Sequence, residues 1–161
     1  MTDKTGDARW LSDGPIVVGV DGSAHGRRAV DWALEEARAR HCGVLLILAY
    51  DYGVAPMAPI AYDVFSKIEE GARQTLDEEV AYAARSGVPV EGRLEFGPAS
   101  RALIEASAGA PMLVVGGRGR GGFAGALLGS VSTACVHHAL CPVVVVPSDR
   151  RRRTVQAAAV A

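Results

Sequence analysis

The sequence predicts an α/β fold: a single, doubly wound, five-stranded parallel sheet with helices on both faces. Five apolar runs of strand length alternate with four stretches whose apolar residues recur three or four apart. Several of these runs are continuously apolar, a pattern typical of strands that are buried on both faces of a parallel sheet. The length of 161 residues suits one domain with a sizeable core. Right-handed crossovers follow from the parallel pairing, but these patterns leave the strand order open.

The first half of the chain supplies two strands and two helices. We predict a strand over 15–20, a helix over 24–41 and a second strand over 44–50, both strands being apolar throughout. A loop with two prolines then leads into a long amphipathic helix over 61–86. Gly87 directly follows this helix, where a glycine commonly ends one.

The second half supplies three strands and two shorter helices. The third strand is predicted over 88–96, and its partial alternation of apolar and polar residues favours a place at a sheet edge. A helix over 100–108 precedes the fourth strand, over 112–115. The last helix is predicted over 130–140, and Pro142 introduces the final strand, Val143–Val146.

A glycine-rich segment connects the fourth strand to the last helix. Six of the ten residues from Gly116 to Gly125 are glycine, and Gly129 and Ser130 follow at the start of the helix. Glycines let the backbone approach a ligand closely and direct several N–H groups at it. We expect Ser130 to cap the helix, whose N-terminus favours an anion. The segment therefore predicts a phosphate-binding site.

Other interpretations of this segment are weaker. A Walker A loop requires a lysine near its serine or threonine, and the only lysines, Lys4 and Lys67, are distant. Gly117, Gly119 and Gly122 match the dinucleotide pattern, but the acidic residue expected about 20 residues later is missing. A glycine loop that binds no ligand stays open as an alternative.

Two motifs carry a resemblance to a known family: the spacing of Gly116, Gly119, Gly129 and Ser130, and the opening VVGVDGSAHGRRAVDWALEEA. Both resemble the universal stress protein family, and the opening is similar to that of actinobacterial members. The resemblance covers nearly the whole chain. It implies a Rossmann-like fold of the adenine nucleotide alpha hydrolase type, with strand order 3-2-1-4-5, over residues 15–147. In this order strands one and four are neighbours, and a nucleotide is expected between their carboxyl ends.

The resemblance also implies an ATP site and assigns residues to it. Adenine is expected at Gly19, Asp21 and Ala49, and the ribose at Gly116 with help from Gly117. The phosphates are expected to be held through backbone N–H groups and hydroxyls by the following residues: Gly119, Gly129, Ser130, Val131 and Ser132.

Three charged residues near these motifs allow two interpretations each. Arg118 and Arg120 could screen phosphates, or they could be solvated surface residues. Asp21 could contact the ligand, or it could form a cap or an Asx turn for the following helix, and the two roles are compatible. Magnesium is expected as a possible companion of bound ATP, because bound phosphates recruit this cation.

These residues predict an ATP-binding stress-response or signalling module whose nucleotide occupancy biases a surface for a partner protein. No catalytic residue is assigned, because the glycine segment and the last helix contain no carboxylate to position a nucleophile. Two alternatives are a nucleotide-independent dimeric interaction protein and a slow adenine-nucleotide hydrolase. A homodimer is predicted through Val143, Val144, Val145 and Val146, because an apolar edge strand invites pairing.

Composition argues against several other classes of protein. The net charge of −1 gives no reason to expect nucleic acid or a membrane surface as partner. No apolar run could span a bilayer and no secretory signal is visible, so a cytoplasmic location is expected. Three cysteines without C-x-x-C spacing, and His137 beside His138 on a helix, do not predict a metal site. We expect residues 1–14 to be a flexible N-terminus and 148–161 a basic, flexible tail.

Overall fold

A computed structural model describes residues 14–53, 61–118 and 128–147. The expected basic tail and all but the last residue of the expected N-terminus lie outside these ranges. Gly119 and Arg120 also lie outside them. None of the helices in the described ranges has the length and apolar character needed to cross a bilayer.

Each predicted strand and helix is present in the described residues. In chain order they are β1 (Ile16–Gly19), α1 (Ala24–Arg40), β2 (Val44–Tyr50), α2 (Ala61–Ala84), β3 (Val90–Phe96), α3 (Ala99–Ala106), β4 (Leu113–Gly116), α4 (Ser130–His138) and β5 (Val143–Val146). Helices α2, α3 and α4 each end two residues earlier than predicted. For α4 the reason is Ala139, whose extended backbone (ψ 144°) ends the helix ahead of Pro142.

The five strands form one parallel sheet in the order β3-β2-β1-β4-β5, which confirms the expected fold and strand order. Strand β1 is central, with Val18 opposite Leu46 of β2 on one side and Val114 of β4 on the other. The chain leaves β1 towards β2 and leaves β4 towards β5, so the two connections diverge. In open parallel sheets such a divergence leaves a crevice at the carboxyl ends of the two strands, which here are β1 and β4.

Each face of the sheet carries its own apolar core. Ile16 and Val18 of β1 point to the face covered by α1 and α2, whereas Val17 points to the face covered by α3 and α4. All three side chains are at most 1% exposed. Because successive side chains of a strand alternate between faces, burial on both faces requires the continuous apolar runs seen in the sequence.

The first turn of α1 is anchored to α2 by an ion pair between a partly exposed arginine, Arg27, and a buried carboxylate, Glu79. The Glu79 carboxylate, 2% exposed, accepts hydrogen bonds from Nη2 of Arg27 at 2.6 Å and from its Nε at 3.3 Å. The Arg27 guanidinium also lies 4.6 Å from the centre of the Tyr82 ring. This pair holds the start of α1 in place at the rim of the crevice.

The two edges of the sheet differ in character. Strand β3 presents Glu91, Arg93 and Glu95, charged residues that discourage pairing with another strand. Strand β5 contains only valine, and each of its four side chains is partly exposed. Within the described residues, β5 is therefore the edge suited to further pairing.

Gly92 of β3 tests how tightly α2 packs on the sheet. A Cβ atom at this position would lie 2.6 Å from Cγ2 of Val80 and 3.2 Å from Cδ1 of Leu76. We expect Gly92→Ala to lower the free energy of unfolding by about 1–3 kcal/mol, because the methyl group overpacks this contact. Urea denaturation followed by circular dichroism measures the change.

Gly71→Ala is the matched control for that variant. Gly71 lies inside α2 with nothing near the position of its missing Cβ. The same substitution should raise the free energy of unfolding there by up to about 1 kcal/mol, because alanine has less backbone freedom than glycine to lose when the helix forms. Two shifts of the same sign would contradict the packing described for Gly92.

Candidate functional site

The first turn after β1 forms one wall of the crevice. Oδ1 of Asp21 accepts a hydrogen bond from the Ser23 N–H at 2.9 Å, and Oγ of Ser23 accepts one from the Gly26 N–H at 3.1 Å. A Cβ on Gly26 would lie 2.8 Å from the same Asp21 oxygen. The carboxylate therefore lies against the first turn of α1, and its bond from the Ser23 N–H, two residues later, confirms the Asx turn. Its contact with a ligand stays a prediction.

Sequence reasoning did not assign roles to Ser23 and Gly26, although both position Asp21. Ser23 is the N-cap of α1, and Gly26 leaves room for the carboxylate. The signal is visible in DGSAHG, where a serine three residues before a glycine opens a helix. The need for glycine at that position is set by a contact in space.

The predicted adenine residues of β1 and β2 lie at the same edge of the sheet as Asp21. Gly19 of β1 pairs with Ile47 of β2. Asp21 follows Gly19, and Ala49 follows Ile47, at the same distance along the chain. Gly19 itself has a packing reason to be glycine, because a Cβ there would meet Cδ1 of Leu103 at 2.9 Å. The register therefore brings Ala49 and Asp21 to one end of the sheet.

Gly117 joins the start of the glycine-rich segment to two other elements. Its N–H donates to the Val146 carbonyl of β5 at 2.8 Å, and its carbonyl accepts from the Gly129 N–H at 2.8 Å. The Ser132 hydroxyl lies 3.3 Å from the same carbonyl oxygen. We call the two contacts to this carbonyl, from Gly129 and Ser132, the Gly117 clasp. It holds together the two ends of the segment between β4 and α4.

Helix α4 begins beside this clasp, and its N-cap differs from the prediction. Gly129 is the N-cap, with extended backbone (φ −75°, ψ 166°), and its carbonyl accepts from the Thr133 N–H at 2.9 Å. The prediction of Ser130 as the cap was wrong by one residue, because Ser130 already has helical backbone. As a glycine, this N-cap residue makes no side-chain hydrogen bond to the helix. The N–H groups of its first turn have no partner within the helix and are suited to an anion.

The predicted phosphate-binding side chains differ in exposure. Ser130 is exposed and Val131 is partly exposed, whereas Ser132 is 2% exposed. The Ser132 hydroxyl donates within the protein, to the Gly129 carbonyl at 3.0 Å as well as towards Gly117. Arg118 is partly exposed beside the clasp and has interactions of its own.

The glycines of the site have different reasons to lack a side chain. A Cβ on Gly116 would lie 3.0 Å from the His25 carbonyl oxygen, and one on Gly117 would lie 3.3 Å from that of Val146. At Gly129 the nearest described atom would be 3.6 Å away, an ordinary contact. Its φ of −75° is accessible to any residue. Within the described part of the chain, neither backbone conformation nor packing requires glycine at 129.

Metal-binding groups do not gather near this crevice in the ranges that the structure covers. No three His, Cys, Asp or Glu side chains lie close enough there to hold an ion. All three cysteines are free thiols. Burial raises the pKa of Cys135, in α4, to about 11, so this thiol is protonated at neutral pH and behaves as a core residue.

Comparisons with known proteins identify the family of the chain. The model of the universal stress protein family matches residues 14–147. A universal stress protein of Mycolicibacterium smegmatis is 37% identical over 141 residues, which are 83% of this chain and 48% of the relative. The chain therefore spans about half the length of that curated relative.

Two solved structures add ligands to the comparison. A universal stress protein in complex with cAMP is 32% identical, with a TM-score of 0.61 over 83% of this chain and 96% of that chain. The universal stress protein of Archaeoglobus fulgidus in complex with dAMP is 25% identical, with a TM-score of 0.57 over 82% and 96%. On sequence, fold and extent of match, this chain belongs to the universal stress protein family.

Proposed function

We propose that the protein binds an adenine nucleotide, ATP foremost, in the crevice between β1 and β4. The observation that carries this proposal is Gly129, where, among the described residues, neither backbone conformation nor packing requires glycine and the N-cap offers no side-chain hydrogen bond to α4. A glycine at this position, beside N–H groups that have no partner within the helix, suits an anionic ligand. Two family members with related sequences were solved with cAMP and dAMP, which supports adenine as the base.

The assignment of residues to the nucleotide follows the two walls of the crevice. The phosphates would face the N–H groups of Ser130, Val131 and Ser132, with Arg118 and Gly119 contributing from the glycine-rich segment. The base would lie towards Gly19, Asp21 and Ala49, and the ribose against Gly116 and Gly117. Magnesium, where present, would be held by phosphate oxygens and water, as this cation prefers.

Binding of this kind supports a regulatory role. We propose a stress-response or signalling module in which the nucleotide-bound form presents a different surface to a partner protein. ATP shifts such an equilibrium only by as much as its affinities for the two forms differ. The cytoplasmic location expected from the sequence stays a prediction.

We further propose that two copies associate through β5. This edge is wholly valine, whereas β3 presents charges at the opposite edge. Pro142 and Val146 direct their carbonyls at β4, since these accept from Leu113 and Gly117. In a parallel ladder the alternate residue Val145 then directs its N–H and carbonyl to the free edge.

Nucleotide identity is tested first on the purified protein. We expect denaturation of the freshly purified protein to release ATP or another adenine nucleotide at a substantial fraction of the protein concentration. Mass spectrometry identifies the released nucleotide. Calorimetry of the nucleotide-free protein should then show binding of ATP and AMP, with GTP as control. Equal affinity for GTP would contradict the adenine assignment, and no binding would refute the proposed function.

The cradle at α4 is tested by Gly129→Ala. We expect the dissociation constant for ATP to rise by about tenfold, a loss near 1.4 kcal/mol, because the new methyl group occupies space meant for phosphate. Stability should change little, since the methyl group makes only ordinary contacts. Gly71→Ala is the matched control and should leave ATP affinity unchanged. Unaltered affinity in the Gly129 variant would exclude this position from the phosphate site.

The dimer is tested by Val145→Pro, which removes an N–H from the free edge and keeps the pairing of β5 with β4. Light scattering after size exclusion should show a dimer for the wild type at micromolar concentration and a folded monomer for the variant. Val144→Pro, one residue earlier, should instead destabilise the fold because it removes an N–H that faces β4. A wild type that is monomeric throughout would refute the interface.

A further inference from the structure

Ser132 is a buried polar residue in the first turn of α4, and its hydroxyl has two acceptors. Its Oγ lies 3.0 Å from the Gly129 carbonyl oxygen and 3.3 Å from that of Gly117. A serine hydroxyl carries one hydrogen, so this hydrogen is shared between two carbonyls that can only accept. The contact with Gly129 is local, three residues back, whereas the contact with Gly117 spans 15 residues.

The long-range contact reinforces another hydrogen bond at the same place. The Gly117 carbonyl also accepts from the Gly129 N–H at 2.8 Å. Both donors of the Gly117 clasp thus come from the start of α4, the helix that follows the glycine-rich segment. The clasp determines where the first turn of α4 lies relative to the end of β4.

A phosphate makes a different demand on the same hydroxyl. Ionised phosphate oxygens accept hydrogen bonds and offer no hydrogen. The single Ser132 hydrogen cannot serve a phosphate while it serves the two carbonyls, and the remaining Oγ lone pairs would repel an anion. Its side chain is also 2% exposed, in contrast to that of Ser130 two residues earlier.

We propose that Ser132 is a positioning residue for the nucleotide site: its hydroxyl holds the Gly117 clasp closed, while its backbone N–H faces the ligand. This inference rests on the proposed function and refines it, because the sequence assigned the hydroxyls of this turn to the phosphates collectively. The Ser130 hydroxyl then contacts the phosphate, whereas the Ser132 hydroxyl fixes the position of the first turn of α4.

Ser132→Ala separates the two roles when two quantities are measured. The first is the hydrogen-exchange rate of the Gly129 amide in nucleotide-free protein, which reports opening of the clasp. The second is the dissociation constant for ATP by calorimetry. We expect both to rise by about three- to tenfold, the range for loss of one neutral hydrogen bond. Ser130→Ala should weaken ATP binding without changing the exchange rate.

Ser107→Ala is the matched control for the loss of a buried hydroxyl. Ser107 is 0% exposed at the end of α3, and its Oγ donates to the Ile104 carbonyl at 3.1 Å, again three residues back. This variant should lose stability while the Gly129 exchange rate and ATP affinity stay at wild-type values. Ser132→Thr keeps a hydroxyl and should retain both wild-type values; if it matches Ser132→Ala instead, the hydrogen bond is not the cause.

Two further outcomes would overturn the proposal. Weaker ATP binding with unchanged exchange in Ser132→Ala would make the hydroxyl a direct phosphate ligand. Faster exchange with unchanged ATP affinity would mean that the clasp does not position the site. If wild-type protein binds no adenine nucleotide, the proposed function itself fails, and the positioning role fails with it. That failure is seen before any variant is made, so the two ideas are refuted by different results.

Discussion

The burial of β1 between two neighbours and two helical layers is the constraint on which the structure depends. Its side chains Ile16, Val17 and Val18 are essentially inaccessible to solvent. A strand in this position cannot carry polar chemistry along its length, so polar groups first appear where it ends. Since β4 runs parallel beside it, the turn at Asp21 and the glycine-rich segment are brought to the same edge.

Helix starts supply much of the electrostatic character of that edge. The first turn of α1 is capped by Ser23 and anchored through Arg27 to the buried Glu79, so its N–H groups are partly satisfied within the protein. The first turn of α4 begins at Gly129, an N-cap residue that makes no side-chain hydrogen bond to the helix. The two helix starts therefore differ in what they offer: α1 holds a carboxylate in place, whereas α4 is open to an anion.

Sequence predicted the fold well because its strongest signals are periodic and local. Continuous apolar runs mark strands buried on both faces, and the strand order came from the family resemblance and was confirmed by the pairing. Details that depend on contacts in space were missed. Serine favours the N-cap position, which predicts Ser130 there, but the hydrogen bond from the Thr133 N–H to the Gly129 carbonyl places the cap one residue earlier. The two acceptors of Ser132 and the need for glycine at 26 also arise from contacts that no local pattern encodes.

The peptide units around Gly117 have a consequence for assembly. One side of this residue donates to Val146 at the end of β5, and the other side accepts from the start of α4. The proposed nucleotide site and the proposed subunit edge are thus connected through the hydrogen bonds of one residue. Thermodynamic linkage makes any such coupling reciprocal: if a nucleotide tightens association between subunits by some factor, association tightens nucleotide binding by the same factor.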